Sequence, residues 1–242
     1  MTSKVPFLVI KKKDNMDDKV FYCIPTYKSF DLAYDGVLAA LRGTLVPEQI
    51  IVIDNSGDGS GTLYLTPLTK KFSNVYIWPQ QRNLGVAGSW NMFHDQLQKD
   101  YIVIANDDVK VQPYTLEHLV TASKERNDQV LFSGANDSGN AFSLFLLKAQ
   151  GYKKIGPFDT RFYPAYFEDN DYVLRAQLLG YDLIQVEKAT FDHVGSSTMA
   201  RYSASEMEIH HYNFRRNRDY FISKWGGLPG ATVYKEPFGG VI

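Results

Sequence analysis

Residues 102–111 read IVIANDDVKV, in which a short apolar run is followed by Asn106, Asp107 and Asp108 and then by alternating valines. Such a run predicts a buried β-strand. The polar cluster after it is typical either of a turn or of a site for Mg²⁺ or Mn²⁺, which prefer carboxylate oxygens. If the chain stays extended, Asn106 and Asp108 share one side and Asp107 points to the other. By itself the stretch favours the turn.

Four apolar runs of this kind occur in the first half of the chain, and helical patterns follow two of them. The runs are VFYCIP (20–25), QIIVID (49–54), VYIWP (75–79) and YIVIA (101–105). One helix is predicted to start at Ser29 or Asp31 and to end before Gly43, and another extends from Gly85 to about Lys99. Continuous apolar strands separated by helices predict a parallel sheet that is covered on both faces.

Polar side chains follow each of these predicted strands. They are Thr26 and Tyr27, Asp54 and Asn55, Arg82 and Asn83, and Asn106 to Asp108. Ligands of parallel α/β sheets bind beyond the carboxyl ends of the strands. We therefore expect a ligand site at this edge of the sheet.

The second half of the chain predicts a different set of elements. Helices are expected at 115–126, at 168–179 and, as a long amphipathic stretch, at 205–225. Strands are expected at 130–134, 142–147 and 181–187, the second of them at an edge or antiparallel. Because no repeat, low-complexity segment or linker interrupts residues 1–242, we expect one domain.

The charge balance argues against extended contacts with nucleic acid. Lys and Arg number 26 against 27 Asp and Glu, whereas a protein that neutralises many phosphates normally carries a basic excess. Cys23 is the single cysteine and lies in an apolar run, which predicts a buried thiol and excludes an intramolecular disulfide. The apolar patch near the N-terminus is too short for a signal peptide or a membrane span, so we expect a soluble, cytoplasmic protein.

Two further stretches carry groups that suit catalysis. Glu168, Asp169 and Asp171 lie at a predicted helix start, where the helix dipole favours acidic residues and capping explains one of them. The aromatic residues of YPAYF (163–167) could desolvate a carboxylate there and raise its pKa, which suits a general base. His193, in FDHVGSST (191–198), could ligate a metal or meet a phosphate, although most lone histidines do neither.

Two common nucleotide motifs are absent. NSGDGSG (55–61) lacks the Gly-Lys-Ser/Thr ending of a P-loop, and the first strand–helix turn lacks GxGxxG, so an irregular loop is expected after Asp54. The run HHYNFRRNRDYFISKWGG (210–227) interleaves arginines with aromatic residues. It predicts a solvated helix with a packed aromatic face, and contact with a membrane surface or a partner stays open.

Taken together, the motifs resemble the family 2 glycosyltransferases, inverting enzymes of the GT-A fold, from about Val20 to Trp225. In chain order they are IPTY (24–27), VIDNSGDGS (52–60), RNLGVAGSWN (82–91), NDD (106–108), GPFDTRFYPAYFEDNDYVLRAQLLGY (156–181) and HVGSST (193–198). The resemblance implies a GT-A-like α/β fold with a mostly parallel central sheet and a small antiparallel part in the C-terminal half. It divides the chain into an N-terminal extension (1–19), a nucleotide-binding half (20–111), an acceptor and catalytic half (112–204) and a C-terminal helix and tail (205–242).

The resemblance also implies which residues hold a nucleotide-sugar donor. They are Pro25, Thr26, Tyr27, Asp54, Arg82, Asn83, Gly85, Gly88 and Asn91. Asp54 would accept a hydrogen bond from the imide of uracil or thymine, which favours UDP- or dTDP-sugars. The two glycines suit positions where the backbone approaches a ligand closely.

The family's metal-binding DxD motif falls on Asn106–Asp107–Asp108, where its first aspartate is replaced by asparagine. The resemblance implies Mn²⁺ or Mg²⁺ at Asp108, with His193 assisting the metal or the diphosphate and with Asn106 and Asp107 close to the donor. It implies Asp169, next to Glu168, as the general base. A hydroxyl of a glycan or similar acceptor would then attack the anomeric carbon with inversion.

Three alternatives stay open. Asn106 motivates an inactive homologue that only binds nucleotide sugars. A sugar-nucleotide-forming nucleotidyltransferase would need a basic, glycine-rich first loop, and IPTYKSFD (24–31) has one lysine and no glycine. A DNA-modifying glycosyltransferase is disfavoured by the charge balance. The transferred sugar, its acceptor and the linkage do not follow from residue spacing.

Overall fold

The computed structural model describes residues 19–137, 141–193 and 201–240. Its strands are β1 (Val20–Thr26), β2 (Gln49–Asp54), β3 (Val75–Pro79), β4 (Tyr101–Ala105), β5 (Val109–Val111), β6 (Leu131–Ala135), β7 (Leu144–Leu147) and β8 (Leu183–His193). Its α-helices are α1 (Phe30–Leu41), α2 (Ser60–Lys71), α3 (Gly85–Leu97), α4 (Thr115–Glu125), α5 (Ala149–Ile155), α6 (Glu168–Leu178) and α7 (Ala204–Trp225). The predicted N-terminal extension, apart from Lys19, lies outside the described residues.

The strands form one sheet in the order β3-β2-β1-β4-β7-β6-β8-β5. β3, β2, β1 and β4 are parallel, β7 is antiparallel to β4 and β6, and β5 is antiparallel to β8. The predicted fold class, a mostly parallel sheet with a small antiparallel part in the second half, is confirmed. The strand predicted to be antiparallel or at an edge is β7, and it is antiparallel. It lies in the interior of the sheet, which agrees with its four buried residues.

Both faces of the parallel strands are covered, as the continuous apolar runs predict. In β1, Val20, Tyr22 and Ile24 join one hydrophobic cluster, which also contains residues of α1, α2 and α4. Phe21 and Cys23, which alternate with them, join the other cluster with residues of α3 and α6. The thiol of Cys23 is therefore buried, and burial raises its pKa well above the usual range.

Two helices were missed in the sequence. α2 begins at Ser60, inside the glycine-rich stretch that was expected to be irregular, and α5 has only seven residues. α2 contains Pro67 and few buried residues, so its pattern is weak. Its first turn is stabilised by a tertiary contact, because the Asp54 carboxylate accepts hydrogen bonds from the N–H (2.6 Å) and the hydroxyl (2.7 Å) of Thr62.

Helix α7 begins one residue before its predicted start, with a capping box. The Ser203 side chain accepts from the N–H of Glu206, and the Glu206 carboxylate accepts from the N–H of Ser203. The expected cap of α1 is different, since the side chain of Ser29 makes no capping hydrogen bond and Asp31 pairs with Arg201 at 2.8 Å. Within the described residues, no helix is long and apolar enough to cross a membrane.

Candidate functional site

A cleft of about 570 Å³ lies beyond the carboxyl ends of β1 and β4. It brings together most of the residues that the sequence singled out. The predicted site residues that line it are Pro25, Thr26, Tyr27, Asn83, Gly85, Asn106, Asp107, Asp108, Glu168, Asp169 and His193. The residues come from both halves of the chain, and the volume is in the range of small-molecule sites.

The pairing of β1 with β4 explains one side of the cleft. Cys23 lies opposite Ile104 in the parallel register, so three residues further along Thr26 comes level with Asp107. The Thr26 hydroxyl donates to the Asp107 carboxylate at 2.9 Å, and the N–H of Tyr27 donates to the same oxygen at 3.4 Å. Sheet hydrogen bonding therefore brings the end of the first strand to the NDD cluster.

The NDD cluster is a tight turn between β4 and β5. The N–H of Val109 donates to the Asn106 carbonyl at 3.2 Å. The chain is therefore not extended here, and the expected alternation, with Asp107 directed away from Asn106 and Asp108, does not apply: all three residues line the cleft. This stretch is therefore both a turn and part of a polar site, and the two interpretations of its sequence do not exclude each other.

His193 reaches Asp108 through the pairing of β5 with β8. Val109 lies opposite His193 in this antiparallel pair. As a result, Nε2 of His193 is 3.1 Å from Oδ1 of Asp108, and the Ser143 hydroxyl is 3.4 Å from the same ring nitrogen. The remainder of the HVGSST motif, residues 194–198, lies outside the described residues.

The electrostatics of the NDD turn favour a bound cation or a proton. Burial raises the pKa of Asp107 to about 7, the hydrogen bond from Thr26 opposes that rise, and the charge of Asp108 adds to it. The charge of the neighbouring buried Asp108 therefore disfavours the ionised form of Asp107. A positive charge between them and a ligand would relieve this repulsion.

The three acids at the start of α6 have different surroundings. Glu168 is buried, its Oε2 has no hydrogen-bond partner among the described residues, and burial raises its pKa well above the usual range. Asp169 is partly buried at the cleft wall, and burial raises its pKa as well. Asp171 points elsewhere and accepts from Trp225 (2.8 Å) and Arg175 (2.9 Å). No side chain caps the helix, because its N-cap position is Phe167.

The aromatic segment before α6 is held by α7. Asn217 is fully buried and donates its amide to the carbonyls of Ala165 (2.8 Å), Tyr163 (3.2 Å) and Tyr166 (3.4 Å). Tyr166 and Phe167 both have positive φ angles, of 79° and 72°, which cost non-glycine residues free energy. These contacts with α7 therefore fix the direction in which Glu168 and Asp169 enter the cleft.

Asp54 is not among the residues that line the cleft. It is buried at the end of β2, where its Oδ1 accepts from the N–H of Ser56 at 2.9 Å and its Oδ2 accepts both hydrogen bonds from Thr62. A Cβ atom at Gly61 would come within 2.4 Å of Oδ1, so the backbone of α2 covers this carboxylate. Its predicted contact with a nucleobase stays a prediction.

Three other predicted donor residues also lie outside the cleft lining. Arg82 is exposed, and Gly88 lies on α3. Asn91 holds the backbone of Phe158 through two hydrogen bonds, of 2.8 and 2.9 Å. Gly85 does line the cleft and has a φ of +71°, and the chain itself approaches it closely: a Cβ would lie 2.8 Å from the Pro164 carbonyl oxygen.

One wall of the cleft, formed by α7 and the residues before it, was not predicted from the sequence. Its members are Tyr202, Glu206, Ile209, His210 and Asn213. Ion pairs of Lys28 with Glu206 and of Asp31 with Arg201 join this wall to the loop and helix after β1. The spacing of 206, 209, 210 and 213 is that of one helix face, which was a usable signal. Trp90 and Phe142 also line the cleft, and Trp90 Nε1 is buried with no partner among the described residues.

The described residues contain no group of three or more His, Cys, Asp or Glu side chains that could hold a metal ion. Asp108 and His193 form a pair of potential ligands at the cleft. Mg²⁺ and Mn²⁺ are often held by one or two protein ligands, with substrate phosphates and water completing the shell. The donor set therefore fits a cation that binds together with a phosphorylated ligand.

The parallel strands and the cleft beyond their carboxyl ends place the protein in the class of α/β proteins with a ligand site at that edge. More narrowly, the chain belongs to glycosyltransferase family 2: the family described as Glycosyl transferase family 2 matches residues 22–180. The solved structures to which its fold is similar include glycosyltransferases.

Two such structures illustrate the likeness. The mannosyltransferase PcManGT from Pyrobaculum calidifontis, in complex with GDP-Man and Mn²⁺, has a TM-score of 0.59 at 14% identity over 74% of this chain and 58% of its own. S. aureus TarS 1-349 in complex with UDP has a TM-score of 0.57 at 13% identity over 72% of this chain and 60% of its own.

A curated relative is the galactofuranosyl glycosyltransferase of Leishmania donovani. It is 31% identical over 128 residues, which cover 44% of this chain and 29% of that protein. The chain thus spans less than a third of the length of this relative.

Proposed function

We propose that this chain transfers a sugar from a nucleoside-diphosphate sugar, with UDP- or dTDP-sugars favoured, to a hydroxyl group of a glycan or similar acceptor, with inversion. The observation that carries the proposal is that one cleft is lined both by the Asp108–His193 pair and by Glu168 and Asp169. Family membership supports it, as do the GDP-Man and UDP complexes of the structural neighbours.

Asp108 and His193 are the residues that would hold a divalent cation together with the diphosphate. The bound cation would supply charge neutralisation for the leaving diphosphate. Asn106 is a neutral amide where the family motif has an aspartate, so the site would offer a cation one carboxylate fewer than the full DxD motif does. The difference between the rise in Tm with and without Mn²⁺ measures how strongly donor binding depends on the cation.

Asp169 is the proposed general base. As the acceptor oxygen attacks the anomeric carbon from the face opposite the diphosphate, the new carbon–oxygen bond forms and the bond to the diphosphate oxygen breaks. The proton of the acceptor hydroxyl passes to the Asp169 carboxylate. Its raised pKa, caused by burial, makes this carboxylate a stronger base than an exposed aspartate.

Two buried polar atoms support a sugar in the same cleft. Glu168 and Trp90 are among its lining residues, and Oε2 of Glu168 and Nε1 of Trp90 are buried without a hydrogen-bond partner among the described residues. A sugar hydroxyl both donates and accepts hydrogen bonds, so the hydroxyls of one bound sugar could satisfy both atoms. Leaving such atoms unpaired costs about 1–3 kcal/mol each, which favours binding of a polyol.

Ligand-induced thermal shifts test the proposal. UDP-, dTDP- and GDP-sugars are compared with and without Mn²⁺, and a UDP- or dTDP-sugar with Mn²⁺ is expected to give the largest rise in Tm. Asp108→Ala should weaken UDP and Mn²⁺ binding together in calorimetry, whereas Asp100→Ala, an exposed aspartate just before β4, should change neither.

Two results would count against the proposal. Absence of a thermal shift with every nucleotide sugar would remove the donor assignment. Donor binding without any release of the sugar, either to water or to an acceptor, would instead support the binding-only homologue.

A further inference from the structure

A second cavity, of about 410 Å³, lies against the same base. We call it the α6 groove: it is formed by one face of α6 together with Leu183 and the segment 229–232 that follows α7. Asp169 and Phe142 line both the α6 groove and the cleft. The proposed base therefore stands at the boundary between two spaces, and the proposed donor residues account for only one of them.

The α6 face in the groove carries two kinds of side chain. Asn170, Val173, Leu174 and Gln177 follow the i, i+3, i+4, i+7 spacing of a single helix face, and all four line the groove. Asn170 and Gln177, at the two ends, are exposed and can both donate and accept hydrogen bonds. Val173 and Leu174, between them, offer an apolar surface that Leu183 extends.

Such a wall suits a ligand that is itself amphipathic. A sugar ring presents C–H groups on its faces and hydroxyls around its rim. It can therefore pack on Val173 and Leu183 while it hydrogen-bonds to the amides. The groove volume is within the range of about 300–1,000 Å³ that small-molecule sites occupy. On the opposite wall, Thr232 adds a hydroxyl, and Pro229 adds an apolar ring.

We propose that the α6 groove is the acceptor subsite and that its ligand is a glycoside, with a sugar ring beside Asp169 and an apolar substituent along Val173 and Leu183. The inference rests on the proposed function, because inversion requires the acceptor to attack from the side opposite the diphosphate. Asp108 and His193 mark the diphosphate side and do not line the groove. Because Asp169 lines both spaces, an acceptor in the groove would lie beside the proposed base.

Saturation-transfer NMR with simple glycosides tests the inference without any donor. The probes are hexyl β-D-galactopyranoside, hexyl β-D-glucopyranoside and hexyl α-D-mannopyranoside, each compared with its free sugar. The wild-type chain should transfer saturation to ring and alkyl protons of at least one glycoside, and more weakly to the free sugar. UDP with Mn²⁺ should not displace the glycoside.

Bulky substitutions from the two walls locate the probe. Gln177→Trp from α6 and Thr232→Trp from the segment after α7 should each weaken glycoside binding about ten-fold or more, which is about 1.4 kcal/mol, because the indole ring would occupy space that the ligand needs. Gln96→Trp, the same change at an exposed position of α3, is the matched control and should bind as the wild type does. The thermal unfolding of all three variants is measured to confirm that they fold.

Unchanged binding in both groove variants would overturn the inference, and so would displacement of the glycoside by UDP with Mn²⁺ or no signal from any hexyl glycoside. The proposed function fails separately. If nucleotide sugars bind and are hydrolysed but no glycoside binds, only the acceptor subsite is wrong. If glycosides bind in the groove but no nucleotide binds the cleft, the groove stands as a carbohydrate site and the transferase proposal fails.

Discussion

The strand-end side of the cleft is built from neighbours in one sheet, whereas the α6 side is built from a loop that a distant helix holds. Thr26 meets Asp107 because β1 and β4 pair in parallel register. Glu168 and Asp169 are positioned because Asn217 of α7 binds the carbonyls of 163–166. The first arrangement rests on many repeated backbone hydrogen bonds and the second on a few buried polar groups. Substitutions on the α6 side should therefore change sugar transfer or stability more than substitutions on the strand-end side do.

The largest effect is expected from Asp169→Asn. An asparagine cannot take the acceptor proton, so sugar transfer should fall about 10²- to 10⁴-fold. Donor binding should persist, and the free energy of unfolding should stay the same or rise, since burial disfavours the aspartate charge. Turnover is measured with the donor that the thermal-shift screen identifies. Wild-type turnover in this variant would remove the assignment of the base.

Asp171→Asn, two residues away, should lower the stability of the fold, which Asp169→Asn should leave unchanged or raise. Asp171 is fully buried and contacts Lys224 at 2.6 Å as well as Arg175 and Trp225. The substitution removes the carboxylate that pairs with Arg175 and leaves the buried Lys224 with Asp159, at 2.8 Å, as its remaining anion. Removal of one partner of a buried ion pair costs about 3–5 kcal/mol. Urea unfolding should show a loss of this size, and the Asp169→Asn protein serves as its control. Equal stability of the two variants would contradict the separate roles of these carboxylates.

Glu168→Gln should change the pH dependence of stability. Burial raises the pKa of Glu168, so the folded state favours the neutral acid; this contribution is fully present below the unfolded pKa and is lost as pH rises through the folded pKa. Glutamine stays neutral throughout. The variant should therefore exceed the wild type in Tm at pH 8 by a few degrees, about 2–4 °C per kcal/mol, and the difference should shrink towards pH 4. A pH-independent difference would argue against a buried charge.

The smallest effect is expected on the strand-end side, from Thr26→Val. It removes the hydroxyl that donates to Asp107, a loss of about 1 kcal/mol or somewhat more while Asp107 is ionised. The apparent pKa of Asp107, about 7 in the wild type, should rise further, because the Thr26 hydrogen bond lowers it. Urea unfolding at pH 6 and pH 8 measures both. A loss as large as that of Asp171→Asn would reverse the comparison between the two sides.

Most of the sheet and many site residues could be predicted from the sequence, for a physical reason. Strand runs such as QIIVID (49–54) and YIVIA (101–105) are buried on both faces, so their composition alone indicates them, and their observed bounds agree. Parallel strands deliver their polar ends to one edge, which predicts that Thr26, Asn83 and Asp108 lie near each other. Helix α2 was not predicted, because its first turn depends on a hydrogen bond to the carboxylate of Asp54. This is a tertiary contact, and the local sequence pattern does not indicate it.

By itself, the sequence determined the class of fold, the edge of the sheet where a site forms and the residue types available there, because strand burial and chain direction are local properties. Only the tertiary structure decided which acidic residues line the cleft and which one forms a buried ion pair. Sheet pairing brought His193 to Asp108, across 85 positions of sequence. Packing of α7 separated Asp171, in a buried ion pair, from Glu168 and Asp169 in the cleft. Such choices depend on contacts between distant segments, which residue spacing does not encode.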